Sequence, residues 1–198
     1  MNESLLQVVL VAALWFGYLA SRFGGWNAAA FFVLNGVFCG ICDGLVYFGL
    51  RPYQYPGQSP LWVVGYITFG WFGMACLCFF LADGMLGGQL DNWAESTKRN
   101  LLWQLPLLSA STAVLLDLMI DPLAGLTGRW VWTFHGSHPF QGVPLGNFIA
   151  WFLFMGKGAL SWLILMRLKR SPFERFKLSL ISLPVNIVGF WSIFIALC

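Results

Sequence analysis

Apolar residues run along this chain in six long blocks, and polar and charged residues collect in the short stretches between them. A block of about 20 apolar residues is what a helix needs to cross the hydrocarbon core of a bilayer. The blocks predict transmembrane helices over residues 4–21, 28–50, 61–82, 101–120, 145–166 and 178–197, joined by connections at 22–27, 51–60, 83–100, 121–144 and 167–177. Pro106 and Pro184 fall inside the fourth and sixth blocks. A membrane bundle tolerates them there, because neighbouring helices and polar side chains re-satisfy the freed backbone groups. The expected fold is all-α: a polytopic membrane protein, one domain over residues 1–198, built as a bundle of about six transmembrane helices. Met1-Asn2-Glu3-Ser4 brings no positive charge before the first block and no small-residue cleavage site follows. That block is therefore expected to be a retained helix and not a signal peptide.

Composition removes the soluble alternative. Only 10% of the residues are charged and 59% are hydrophobic, where a soluble domain carries about 25% charged residues. The mean hydropathy is +0.73. A net charge of +3 with no basic stripe excludes nucleic acid as a partner. The placement of the cations says more than their sum. Arg22, Lys98, Arg99, Arg167, Lys169, Arg170, Arg175 and Lys177 fall in the odd connections, against Arg51 and Arg129 in the even ones. Positive charge marks the cytoplasmic side, so both termini are expected on the non-cytoplasmic face with the second and fourth connections. Cys39, Cys42, Cys76 and Cys78 lie in apolar blocks and read as buried thiols; Cys39-x-x-Cys42 has no second pair to complete a zinc site.

Three ionisable residues fall clearly within spans: Asp43, Asp117 and Lys157. Each costs about 2.5–3.5 kcal/mol near the bilayer centre, so each should face the bundle interior. Lys157 is expected to pair with one of the acids or to snorkel to the interface. Chemistry is densest between residues 117 and 151. Asp117 and Asp121 are four apart, so in a continuing helix they share a face, about 5–6 Å apart at Cβ. Pro122 disfavours helix at Asp121 and predicts the helix end there. Two carboxyls so close in a poorly solvated site cannot both ionise easily and should titrate as a unit. A carboxylic acid that keeps its proton is what general-acid catalysis requires. The structural alternative has Asp121 ending the helix in interfacial water while Asp117 pairs with Lys157 or Arg129.

Around the acids stand Trp130, Trp132, Phe134, Phe140, Phe148 and Trp151. They read either as an aromatic belt or as π-faces that stabilise a carbocation. Asn147 is placed to hold a water or orient a carboxyl, or simply to bond between helices. His135 and His138 are the only histidines and make a weak metal signal; no metal and no cofactor is expected. A faint internal echo joins a helix with an acid, a loop, Pro60-Leu61 and Trp71 to a helix with acids, a loop, Pro144-Leu145 and Trp151. Parallel repeats of this kind can place a site at their interface.

The series Asp117, Asp121-Pro122, Gly128-x-Trp130-x-Trp132, Gly142-Val143-Pro144, Asn147-Phe148 and Trp151 resembles the membrane hydratases of carotenoid biosynthesis. These are the bisanhydrobacterioruberin hydratases and γ-carotene 1′-hydratases. Members of that family usually carry a Tyr two residues before the Gly-Val-Pro, where this chain has Phe140. Their N-terminal half has a glutamate and a run ending Phe-Gly-x-Tyr-x-Tyr, where this chain has Asp43, Phe48-Gly49, Tyr53 and Tyr55. The resemblance implies cofactor-free acid–base chemistry on a lipophilic isoprenoid carbon–carbon double bond within the bilayer. A proton from the Asp117/Asp121 pair would start the reaction. The cation would be shielded by Trp130, Trp132 or Trp151, and water placed by Asn147 or Asp43 would add to it. Phe140 and Phe148 would line the substrate site. Three alternatives stay open: a membrane terpene cyclase using the same first step, a small transporter, and a membrane assembly factor. A diphosphate-ionising prenyltransferase fits less well, since only one Asp-x-x-x-Asp is present. The oligomeric state is open.

Overall fold

The computed structural model describes residues 3–88, 90, 101–133 and 140–197, with the side chains of residues 3 and 101 excepted. The elements are α1 (Glu3–Phe23), α2 (Gly25–Phe32), α3 (Phe38–Leu45), β1 (Tyr53–Gln54), α4 (Pro60–Met85), α5 (Leu101–Leu126), β2 (Val131–Trp132), α6 (Leu145–Arg167) and α7 (Pro172–Leu197). Two π-helical turns, Val33–Val37 and Val46–Leu50, join α2 to α3 and extend α3 toward β1. Among the described residues, six helical segments are long and apolar enough to cross a membrane: Ser4–Phe23, Gly25–Leu50, Pro60–Met85, Leu102–Leu126, Leu145–Arg167 and Pro172–Leu197. The protein is an all-α integral membrane bundle, as the apolar blocks predict.

The α2–α3 span is the centre of the bundle: 61% of its apolar window is buried, against 11% for α1 and 6% for α7. The outer helices show lipid-type faces, such as Leu10 and Leu14 on α1 and Ile181, Val185 and Val188 on α7. Asp43 lies in α3 between the two π turns, a local widening of the helix that often accompanies functional positions. Close approach of helices depends on small residues, as expected where lipid supplies no hydrophobic drive. A Cβ on Gly158 of α6 would collide with Asn35 Oδ1 on the central span. Gly65, Gly70 and Gly73 of α4 face Leu5, Val8 and Val11 of α1.

Two helix ends differ from the sequence expectation. α5 does not stop at Asp121 but runs through Pro122 to Leu126. Its end is made by Gly128 at φ +67°, with Arg129 N–H donating to Ala124 O and Gly128 N–H to Gly125 O, the left-handed glycine stop. α7 begins at Pro172 and not near residue 178. Ser171 and Glu174 form a reciprocal capping box, with Ser171 N–H donating to Glu174 Oε2 and Glu174 N–H to Ser171 Oγ. That local signal, with Pro172 in the first turn, starts the helix within a charged stretch that hydropathy assigns to the loop.

One element is not helical. β1 and β2 pair antiparallel, Tyr53 opposite Trp132 and Gln54 opposite Val131. The pairing continues where Thr133 N–H donates to Pro52 O at 2.8 Å. It joins the second connection to the fourth, so those two loops share one end of the bundle, as the odd–even count of spans requires. Phe134, His135 and His138, with Lys98, Arg99 and Cys198, lie outside the described residues.

Candidate functional site

α5 and α6 form the most extensive helix pair in the bundle. Ala110 and Ala113 on α5 are fully buried, and a Cβ on Gly156 of α6 would meet Ala110 Cβ at 3.3 Å. This seam holds the C-terminal turns of α5 against the first turn of α6. Because α5 continues past Asp121, Asp117 and Asp121 sit on successive turns of one face, 0% and 3% exposed. Asn147, three residues after the Pro144 cap of α6, reaches both of them. Its single Nδ2 donates to Asp117 Oδ2 at 2.7 Å and to Asp121 Oδ2 at 2.6 Å. The two carboxyls also contact each other. Asp117 Oδ1 is buried without a hydrogen-bond partner among the described residues, the kind of exception that calls for a functional explanation.

A cavity of about 940 Å³ opens beside this pair. Its wall takes Val8, Val11 and Trp15 from α1, Asp43 and Val46 from the central span, and Ile67, Trp71 and Met74 from α4. It also takes Asp121 from α5, Asn147, Trp151 and Phe154 from α6, and Phe190 and Phe194 from α7. The central span, α5, α6 and α7 contribute from the half nearest β1 and β2, while Trp15 of α1 and Met74 and Leu77 of α4 carry the wall past the middle of the bundle. Along α4 it runs from Tyr66 to Leu77, about 16 Å at the helical rise. Its polar groups gather under the β1–β2 roof; toward the middle of the bundle it is apolar. Asp121 lines it and Asp117 lies behind, reached through Asn147.

A second polar cluster faces the same cavity. Tyr53 O–H donates to Asp43 Oδ1 at 2.5 Å and Trp71 Nε1–H to Asp43 Oδ2 at 2.8 Å. The roof above is aromatic: Tyr53 lies against Trp132 with ring centroids 5.5 Å apart, Tyr55 against Trp130 at 5.9 Å, and Trp71 against Trp151 at 4.7 Å. Burial, reinforced by the charge of Asp43, pushes the Tyr53 and Tyr55 hydroxyls well above the usual tyrosine range, so both stay O–H donors.

The sequence candidates divide accordingly. Asp43, Asp121, Asn147, Trp130, Trp132 and Trp151 line one cavity, and Asp117 touches the pair from behind. Phe148 is buried and Phe140 sits at 38% exposure in the short bridge to Val143; neither lines the cavity. Lys157 pairs with no acid among the described residues. Its Nζ donates to Asn186 Oδ1 on α7 and lies 4.5 Å from the centroid of the Phe38 ring, so a neutral amide and an aromatic face take the place of the expected counter-ion. Asp117 bonds to Asn147 and neither to Lys157 nor to Arg129. Sequence reasoning did not single out the Tyr53 and Trp71 contacts to Asp43, which join residues ten and 28 positions apart. The one available signal was the pair of tyrosines directly after the acid-bearing span.

Fold and site together define a multi-pass membrane protein with paired carboxyls on the wall of an apolar, tryptophan-rich cavity. The chain belongs to the carotenoid biosynthesis protein family, whose model matches residues 4–198. That membership places it in carotenoid metabolism. Searches of curated proteins and of solved structures returned no match.

Proposed function

We propose that this protein is a membrane hydratase that adds water across a terminal carbon–carbon double bond of a carotenoid-like isoprenoid. The observation that carries the reading is the Asp117–Asn147–Asp121 arrangement, with one amide nitrogen on two contacting, buried carboxyls. Two like charges cannot both persist in contact out of water, so the pair holds a proton. Asp121, the member on the cavity wall, delivers it to the less substituted carbon of a trisubstituted alkene. The tertiary cation that results meets the faces of Trp71, Trp130, Trp132 and Trp151, all of which line the cavity, and their π-systems lower its energy. Water then forms the new carbon–oxygen bond and releases a proton, giving a tertiary alcohol. The cavity fits such a substrate in size, near the upper end of the usual range for ligand sites.

Expression in a host that accumulates acyclic carotenoids, followed by mass analysis of lipid extracts, tests the reading. The expected product has gained the mass of one water. A new isomer of unchanged mass would replace hydration with proton-initiated cyclisation, and an unaltered extract would remove both.

A further inference from the structure

Proton-initiated hydration needs two separate services: a donor for the alkene and an acceptor for the proton that leaves the attacking water. The Asp117/Asp121 pair supplies the first. For the second, the cavity offers Asp43. Both of its oxygens receive a proton donor, one from Tyr53 and one from Trp71, an arrangement that orients a carboxylate as an acceptor. It stands on the central span, on a different helix from the pair, and lines the same cavity as Asp121. Above it, across the Tyr53 ring on which Trp132 packs, Trp132 Nε1–H is buried with no hydrogen-bond partner among the described residues and the Trp132 side chain lines the same cavity. A water at a buried site needs two or more polar partners. Here Asp43 offers an acceptor and Trp132 a donor.

We propose that Asp43 is the base that takes the proton of the attacking water, that Trp132 Nε1–H seats that water's oxygen, and that Tyr53 and Trp71 are the positioning residues that aim the carboxylate. The inference rests on the hydratase reading and divides its labour. The alkene π pair takes the Asp121 proton and a C–H bond forms. A lone pair of the water forms the C–O bond, and the water O–H bond breaks toward an Asp43 oxygen. Asp43 then returns its proton to solvent water beneath the roof, and the pair takes one up, so each turnover leaves the charges unchanged. Without a working base the cation has only one cheap exit, which is to lose a proton and return to alkene.

That exit makes the proposal measurable. Membranes carrying wild type, Asp43→Asn, Tyr53→Phe or Trp132→Phe are incubated with lycopene, an acyclic polyene with trisubstituted ends, in deuterated buffer. Both the alcohol formed and the deuterium in recovered polyene are quantified per folded protein. The expected result for Asp43→Asn is a loss of alcohol of about 10²-fold or more with deuterium exchange kept within a few-fold of wild type. Tyr53→Phe and Trp132→Phe are expected to show the same split to a smaller degree, and Asp43→Glu to recover part of the alcohol. Loss of exchange and alcohol together would overturn the proposal, since Asp43 would then serve proton delivery or folding. So would alcohol within a few-fold of wild type in Asp43→Asn. Wild type yielding neither alcohol nor exchange would overturn the hydratase reading itself, and the division of labour with it.

Discussion

Asn147 gives one amide nitrogen to two carboxyls, and this asymmetry ranks the residues around it. Asp121 reaches the cavity; Asp117 does not. Asp121→Asn keeps the size and the hydrogen bonding but removes the transferable proton. It is expected to lower alcohol formation by about 10²–10⁴-fold, the usual worth of a general acid, with folded yield unchanged. Asp117→Asn is expected to cost distinctly less, because the carboxyl facing the substrate remains and only the neighbouring charge that favours its proton is lost. The check is turnover per folded, membrane-inserted protein; equal losses for the two variants would place both carboxyls at the substrate. The Asp117/Asp121 proximity was legible in sequence because i,i+4 spacing fixes it on any continuous helix. The Asp43 contacts were not legible. They depend on how far the chain folds back after Leu50, and residue Arg51 makes that turn with a left-handed φ of 52°, a conformation a non-glycine residue does not advertise.

At the scale of elements, hydropathy located all six spans but not all of their ends. Proline was read as a stop at Pro122, where lipid-embedded packing carries the helix on. Charge was read as loop between Ser171 and Lys177, where a capping box starts a helix. What fixes the spans against each other is steric, and sequence shows it only as scattered glycines. Gly158 is the sharpest case. Asn35, whose Oδ1 it faces, is 1% exposed and donates from its Nδ2 to Phe31 O at 3.0 Å, so the amide cannot swing aside. Leu34 O lies 3.4 Å from the same added Cβ. Gly158→Ala is therefore expected to destabilise by about 1–3 kcal/mol, the cost of overpacking. Gly44→Ala, whose Cβ meets only Ile67 Cδ1 at 3.8 Å, should be near neutral. Thermal unfolding in a mild detergent compares them; equal midpoints would mean the central span and α6 part easily.

For the whole molecule, the decisive asymmetry is between its two ends. Arg167, Lys169, Arg170, Arg175 and Lys177 cluster where α6 passes to α7, while the roof and the polar part of the cavity lie at the other end. On the positive-inside rule the roofed end of the cavity is expected on the non-cytoplasmic side. Single cysteines introduced at Lys169 and at Pro56, both exposed, should respond oppositely to an impermeant thiol reagent on intact cells. Pro56→Cys is expected to label at once and Lys169→Cys only after permeabilisation; the reverse pattern would turn the molecule over. Of the five native cysteines, those at 39, 42, 76 and 78 are buried and give little background, and Cys198 is first changed to Ser in both variants.

The seam between Tyr53–Gln54 and Val131–Trp132 reaches beyond mechanism into protein engineering. Each strand is useless alone, since one edge comes from the first half of the chain and the other from the second. The same short stretches carry the tyrosine that aims Asp43 and the tryptophans that close over Asp121. A chimaera that exchanged only one of these connections with a relative would mismatch the seam and the chemistry together. For engineering, the two loops are therefore one cassette, to be exchanged together.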